Sequence, residues 1–182
     1  MSGPLPRRAG RLVVVTGPVA SGKSTTALAL AGLLRQRSSV AVIDLDQVYC
    51  MARQRVGFGE PDAWRAARRA CGALFRSFLG SGIQTVIVEG EFFSPEELRE
   101  LADEAGTSPH RIFTLQISYE EALRRVPHDA DRVASRNPTI LKRLHESFAE
   151  ALPFLRDATV VIDAESQEPH ELAARIRALL PP

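Results

Sequence analysis

Residues 17–24 read Gly-Pro-Val-Ala-Ser-Gly-Lys-Ser, a spacing of glycines, lysine and hydroxyl that suits phosphate binding. Glycines in such a turn let backbone N–H groups curl around phosphate oxygens. The lysine would supply charge to the β- and γ-phosphates, and the last serine would bind Mg²⁺. Only two of the 23 basic residues are lysines, yet one stands here. We therefore predict a nucleotide phosphate site formed by Gly17, Ala20, Ser21, Gly22, Lys23, Ser24 and Thr25.

The segments on either side of this turn place it between a strand and a helix. Residues 11–16 form a β-branched apolar run that is typical of a buried strand. Residues 25–34 are rich in alanine and leucine and favour a helix. The start of a helix carries roughly half a positive charge, which attracts phosphate. This agreement favours a functional P-loop over a chance match in a Gly/Ser turn.

Asp44 and Asp46 follow the next predicted strand, residues 40–44. Residues two apart on an extended segment share a face, so one carboxylate could accept the proton of an attacking hydroxyl while the other orients the water around Mg²⁺. Alternatively, Asp46 caps the helix that follows. We predict that both are catalytic, with Asp46 as the first candidate for the base and Asp44 also on the metal side.

Glu89 and Glu91 follow the third predicted strand, residues 84–88. An acidic residue that ends a hydrophobic strand is placed to reach Mg²⁺ through water, so Glu89 is a predicted metal-side residue. Glu91 is the weaker candidate of the two. The alternative is that both are solvated loop charges.

Four arginines stand between residues 124 and 138, in a stretch that proline, aspartate and serine interrupt. Phosphoryl transfer needs positive charge around the moving phosphate and exclusion of water, which an arginine-rich lid at about residues 124–139 would provide. The alternative is a solvated basic turn. We predict phosphate contacts from Arg125, Arg132 and Arg136, with Arg132 also catalytic.

Other side chains carry weaker signals. Trp64, Arg65, Arg68 and Arg69 belong to a predicted helix over residues 62–79, next to the expected acceptor pocket, although Trp64 suits a core position equally well. His145 could reach the lid, but we favour packing for it.

The composition of the whole chain narrows the class of protein. The 182 residues are predicted to form one domain after a loose tail at residues 1–10. The 23 basic and 22 acidic residues nearly balance, which gives no argument for a nucleic-acid or membrane partner. Cys50 and Cys71 form no metal-binding spacing, and no apolar run suits a membrane span, so we expect a cytoplasmic protein.

Predicted strands and helices alternate along the chain, which implies a parallel sheet covered on both faces. Residues 118–121 are predicted to form a capping box, and Ser94 is predicted to cap a helix that Gly106 ends. The remaining predicted strands are 111–117 and 159–163, and the later helices are 138–151 and 168–180.

These residues resemble the small P-loop kinases of metabolites and antibiotics: the shikimate kinase, gluconate kinase and chloramphenicol phosphotransferase group. Asp44-Leu45-Asp46 is similar to the Asp-x-Asp of shikimate kinases, whose second Asp faces the substrate hydroxyl. Residues 131–134, with His145 downstream, are similar to the lid of the chloramphenicol enzyme. Glu89-Gly90-Glu91 departs from the pattern, because shikimate kinases have three glycines there.

The resemblance implies ATP, Mg²⁺ and a three-layer α/β P-loop NTPase fold with a five-stranded parallel sheet of order 2-3-1-4-5. It also implies an ATP-dependent phosphotransferase acting on a hydroxyl of a small molecule, a metabolite or an antibiotic. A nucleoside or nucleotide kinase and a nucleotide-dependent switch are the alternatives, although the sequence lacks the guanine-reading Asn-Lys-x-Asp of a switch. A polynucleotide kinase gains no support from the charge. The acceptor, the preference for ATP or GTP, and the oligomeric state stay open.

Overall fold

A computed structural model describes residues 10–52, 60–126 and 137–181 of the chain. Within these ranges five strands alternate with helices, in the order that the sequence predicts. The strands are β1 (Arg11–Thr16), β2 (Val40–Asp44), β3 (Thr85–Glu89), β4 (Arg111–Gln116) and β5 (Val160–Asp163). The helices are α1 (Lys23–Arg35), α2 (Leu45–Ala52), α3 (Pro61–Gly80), α4 (Pro95–Ala105), α5 (Tyr119–Arg125), α6 (Pro138–Ala158) and α7 (Pro169–Leu179).

The five strands form one parallel sheet in the order β2-β3-β1-β4-β5, which confirms the predicted order. Strand β1 is central, since Val13 is in register with Ile87 of β3 and with Arg111 of β4. Glu89, the last residue of β3, is opposite Asp44 of β2. The carboxyl ends of these strands therefore meet at one edge of the sheet, where ligands bind in folds of this type.

Helices cover both faces of the sheet, and the central strand shows why. Val13 and Val15 pack with residues of α1 and α7, whereas Leu12 and Val14 pack with residues of α3 and α4. Successive strand residues point to opposite faces, so a run of apolar residues is buried on both sides. This arrangement confirms the predicted three-layer α/β fold.

The predicted caps of α4 form, whereas the predicted capping box of α5 forms only in part. Ser94 accepts a hydrogen bond from the Glu97 N–H, and Gly106 ends α4 in the left-handed conformation, as predicted. Ser118 likewise accepts from the Glu121 N–H, but its own N–H donates to Glu165 at 2.7 Å. The predicted capping box at residues 118–121 is therefore only half formed.

Helix α6 is longer than the sequence predicts: it runs to Ala158, whereas the predicted helix ends near Ala151. Pro153 lies inside it, where proline removes a backbone hydrogen bond at a cost of about 3 kcal/mol. The apolar stripe of Phe148, Ala151 and Leu155 is buried on both sides of the proline. Burial of this stripe offsets the lost hydrogen bond. A local sequence pattern does not reveal this burial, because it depends on tertiary packing.

No helix among the described residues is both long enough and apolar enough to cross a membrane.

Candidate active site

The turn between β1 and α1 has the backbone shape of an anion cradle. Gly17 has φ 151°, and a Cβ there would lie 2.3 Å from the Leu115 carbonyl oxygen, so only glycine fits. Ala20 and Gly22 have φ 65° and 85°, both in the left-handed region. A left-handed conformation is costly for alanine, and it is found where the backbone must curl around a bound group. The predicted P-loop turn therefore has a conformation suited to phosphate.

The Lys23 side chain lies inside this turn and is only 5% exposed. Its Nζ donates to the carbonyl oxygens of Gly17 and Pro18, both at 3.0 Å. The carboxylate of Glu91 is the third described partner, with Oε1 at 3.6 Å from Nζ. A buried cation is thus held at the phosphate cradle by two neutral acceptors and one anion.

Two hydroxyls beside the lysine are buried and unsatisfied. Ser21 Oγ and Thr26 Oγ1 have no hydrogen-bond partner among the groups that the structure describes. Leaving a buried hydroxyl unpaired costs about 1–3 kcal/mol, so most proteins avoid it. Ser21 belongs to the anion-shaped turn, so its spare hydrogen-bonding capacity fits a bound phosphate, which would supply the missing acceptor.

Glu89 lies at the carboxyl end of β3 and is 3% exposed. Burial raises its pKa to about 7, the charge of Lys23 opposes that rise, and Asp44 and Asp46 add to it. The nearby Ser24 side chain also opposes the rise of this pKa. A hydroxyl and a carboxyl oxygen side by side fit Mg²⁺, which prefers oxygen ligands and keeps several waters.

The described part of the chain holds no group of three or more His, Cys, Asp or Glu side chains arranged to bind a metal by themselves. A Mg²⁺ ion would therefore need oxygen atoms from phosphate and water besides Ser24, Glu89 and Asp44. This agrees with the usual behaviour of Mg²⁺, which binds through one or two protein groups plus substrate phosphates.

The two aspartates after β2 are placed differently from the prediction. Strand β2 ends at Asp44 and α2 begins at Leu45, so the pair does not share an extended segment. Asp44 Oδ1 accepts from the Gln47 N–H at 3.0 Å, which makes Asp44, and not Asp46, the residue that caps α2. Asp46 lies exposed in the first turn of the helix. The charges of both aspartates still raise the pKa of Glu89, so the two lie within electrostatic range of it.

Arg125 is partly buried and makes contacts of its own. Its guanidinium donates to Glu121 Oε1 at 2.6 Å and to the carbonyl oxygens of Ala164 and Glu165 at 2.8 and 2.9 Å. These contacts join α5 to the segment after β5, and the phosphate role of Arg125 stays a prediction. Arg132 and Arg136, with most of the predicted lid at residues 124–139, lie outside the described residues.

Arg65, Arg68 and Arg69, on the helix expected next to the acceptor pocket, have contacts that the sequence did not predict. All three pair with carboxylates of α4: Arg65 and Arg68 with Glu100 at 3.1 and 2.5 Å, and Arg69 with Glu104 at 3.3 Å. They therefore join α3 to α4.

Trp64, on the same helix, stacks on the fully buried ring of Tyr49, with centroids 3.8 Å apart and planes 11° apart. This contact favours the core reading of Trp64 that the sequence leaves open.

Two contacts at the cradle were not predicted. His145 packs as expected, edge-on to Tyr119, but its Nε2 also lies 3.1 Å from the Val19 carbonyl oxygen of the P-loop. Burial lowers the pKa of this imidazole, so the neutral ring can donate that hydrogen bond. The contact between Lys23 and Glu91 is the second. Glu91 could have been found from the predicted neighbourhood of the first and third strands, whereas no local sequence signal marks the partner of His145.

Comparison with solved structures identifies the fold. A gluconokinase from Sinorhizobium meliloti 1021 is 20% identical, with a TM-score of 0.61, and the match covers 96% of this chain and 95% of that one. The tunicamycin resistance protein of Deinococcus radiodurans is 19% identical, with a TM-score of 0.60 and coverage of 95% and 99%. A shikimate kinase from Acinetobacter baumannii, solved with shikimate, is 16% identical, with a TM-score of 0.63 and coverage of 93% and 92%.

At these identities the likeness shows the fold alone, which is the fold that the resemblance to small P-loop kinases implies. No curated protein matches the sequence significantly. The family called "AAA domain" matches residues 12–150, which include the P-loop, the three carboxylates at the sheet edge and most of α6. Since this match spans well over half of the 182 residues, the chain belongs to the AAA domain family.

Proposed function

We propose that the chain is an ATP-dependent phosphotransferase that moves the γ-phosphoryl group of ATP to a hydroxyl of a small molecule. The observation that carries the proposal is the buried Lys23 ammonium inside a turn with left-handed backbone, at the same sheet edge as the buried Glu89. Sheet edges of this kind are where nucleotides bind. The names of two similar structures, a gluconokinase and a shikimate kinase, support a hydroxyl acceptor.

The P-loop residues would hold the phosphates. Backbone N–H groups of residues 17–25 and the start of α1 provide donors, and Lys23 provides the charge for the β- and γ-phosphates. Ser21, whose hydroxyl is buried and unsatisfied, gains a partner when phosphate binds. Ser24, Asp44 and Glu89 would hold Mg²⁺, which when bound neutralises charge on the phosphates.

The proton of the acceptor hydroxyl needs a base near the cradle. Asp46 is exposed at the start of α2, on the same sheet edge as Glu89, and we assign it that role. Its carboxylate takes the proton as the acceptor oxygen bonds to the γ-phosphorus and the bond to ADP breaks. Asp44 is less suited to be the base, because one of its oxygens caps α2.

The acceptor is a metabolite or an antibiotic in this proposal. The second possibility gains support from the likeness to a protein of tunicamycin resistance. Predicted lid arginines, Arg132 first, would add charge at the transferring phosphate. We further propose that residues 1–182 act as one catalytic domain in the cytoplasm, where ATP is available.

Consumption of ATP with and without a panel of acceptors tests the proposal. Sugars, shikimate-like acids, nucleosides and antibiotics would be offered one at a time, with GTP in a parallel series. A transferase consumes ATP slowly alone and quickly with one class of acceptor. A rate that no acceptor changes would favour a nucleotide-dependent switch, and acceleration by nucleosides or nucleotides alone would favour a nucleoside or nucleotide kinase.

A further inference from the structure

The environment of Lys23 contains an anion that the proposed reaction does not use. Glu91 lies two residues beyond the end of β3, and its carboxylate Oε1 is 3.6 Å from Lys23 Nζ. The two side chains are only 17% and 5% exposed, so solvent screens the pair weakly. The remaining described contacts of Nζ are neutral carbonyl oxygens. Glu91 is therefore the carboxylate in direct ion-pair contact with this buried cation.

The same ammonium is the one that the triphosphate requires. A buried charge without a counter-ion is strongly unfavourable, so a partner stabilises Lys23 while the cradle holds no phosphate. Once phosphate binds, a carboxylate 3.6 Å from Nζ lies next to like charge and opposes binding. Glu91 and the β- and γ-phosphates thus compete for one cation.

We infer that Glu91 is a positioning residue, a built-in counter-ion that holds Lys23 in the P-loop until a nucleoside triphosphate displaces it. This inference rests on the proposed function, because it assumes that phosphate binds at Lys23. The inference goes further than the proposed function, because it gives Glu91 opposite effects on two quantities. The pair stabilises the ligand-free fold and weakens triphosphate binding.

The other charged groups nearby do not fill this role. Glu89 also acts on Lys23 through its charge, but among the described ion pairs Lys23 pairs with Glu91 and not with Glu89. His145 bonds to the Val19 carbonyl, and burial keeps its ring neutral. Asp44 caps α2 through one oxygen.

Three variants test the inference. Glu91→Gln keeps the size of the side chain and removes its charge, and Glu91→Asp keeps the charge on a shorter side chain. Glu100→Gln is the matched control, because the same change there breaks an ion pair with the buried Arg68, between α3 and α4. Calorimetric titration would give the affinity for the ATP analogue AMP-PNP, for ADP and for AMP, all with Mg²⁺. Thermal unfolding without nucleotide would give the stability of each variant.

We expect Glu91→Gln to bind AMP-PNP about fivefold more tightly or better, the lower end of typical coupling between two sites. The gain should be smaller for ADP and absent for AMP, whose single phosphate does not reach Lys23. The melting temperature of Glu91→Gln without nucleotide should fall. Glu91→Asp should bind nucleotides like the wild type, and Glu100→Gln should lose stability with no change in any affinity.

Unchanged or weaker binding of AMP-PNP by Glu91→Gln, next to a wild type that binds it, would overturn this inference alone. An equal gain for AMP would also overturn it, because the effect would then not pass through Lys23. A wild type that binds none of the three nucleotides would overturn the proposed function, and the inference with it.

Discussion

The carboxyl edge of the sheet and the α3–α4 helix pair both bury charged side chains, but they treat them differently. In the helix pair, the buried Arg68 donates to Glu97 and Glu100 at 3.2 and 2.5 Å, so two carboxylates in direct contact neutralise its charge. At the sheet edge, Lys23 contacts one carboxylate and two neutral carbonyl oxygens. Burial raises the pKa of the neighbouring Glu89 to about 7.

The difference separates a structural ion-pair network from the proposed binding site. Charges that serve only the fold satisfy one another, because an unmatched buried charge lowers stability. The sheet edge keeps a strained alanine, an unsatisfied Ser21 hydroxyl and a perturbed carboxyl group, a combination that marks functional sites. The four predictions below test whether activity depends on one region and stability on the other.

Lys23→Ala should have the largest effect, a loss of phosphoryl transfer of about 10³–10⁵-fold together with weaker ATP binding, because the cradle loses its cation. The protein should still fold, with a lower melting temperature without nucleotide, because Glu91 loses its ion pair with Lys23. Steady-state kinetics and a melting curve would measure both. Near-native turnover would contradict the assignment of the nucleotide site.

Asp46→Asn should lower kcat by about 10²–10⁴-fold with little change in ATP affinity, because it removes the proposed base. Asp44→Asn is the matched comparison: an amide oxygen still caps α2, so stability should hold while the Mg²⁺ requirement rises. Kinetics at several Mg²⁺ concentrations would separate the two roles. A fully active Asp46→Asn would move the base to another carboxylate.

Glu89→Gln should change how stability depends on pH. Burial raises the pKa of Glu89 from 4.5 to about 7, so the folded protein holds this proton more tightly than the unfolded chain does. The resulting stability is fully present below about pH 4.5 and is lost as the pH rises through 7, by about 3 kcal/mol. Urea unfolding at pH 5 and pH 8, without nucleotide or Mg²⁺, should show a smaller pH difference in the variant. Equal pH dependence of the two proteins would contradict the shift.

Arg68→Met should lower the free energy of unfolding by about 1–3 kcal/mol, the range for hydrogen bonds to charged groups. Nucleotide affinity and turnover should not change. Arg99→Met is the control, since Arg99 pairs with Glu96 at the surface, and such pairs contribute about 0–1 kcal/mol. Loss of nucleotide binding by Arg68→Met would contradict the claim that the α3–α4 ion pairs serve only the fold.

The sequence predicted what depends on local pattern and chain order. The P-loop motif, the strand-end carboxylates and the cap at Ser94 each follow from residue type and spacing, and the sheet order follows from the resemblance. The sequence did not predict that Asp44 caps α2. The cap depends on where β2 ends, which a local pattern does not fix to the residue.

What the sequence could not give are contacts between distant segments. Arg68 and Glu100 are 32 residues apart, and His145 and Val19 are 126 apart. Side chains that meet only when helices pack leave no periodic signal of their own. Helix α6 shows the same limit, since its continuation past Pro153 depends on what covers Phe148 and Leu155.

Transfer of the labelled γ-phosphate of ATP is the most direct test of the central claim that the buried Lys23 at the sheet edge serves phosphoryl transfer. The compound that most stimulates ATP consumption would be incubated with the wild type, Lys23→Ala and Arg68→Met, and the products separated. Label on an oxygen of the acceptor, abolished in Lys23→Ala and retained in Arg68→Met, is the predicted result. Label released only as inorganic phosphate would contradict the claim.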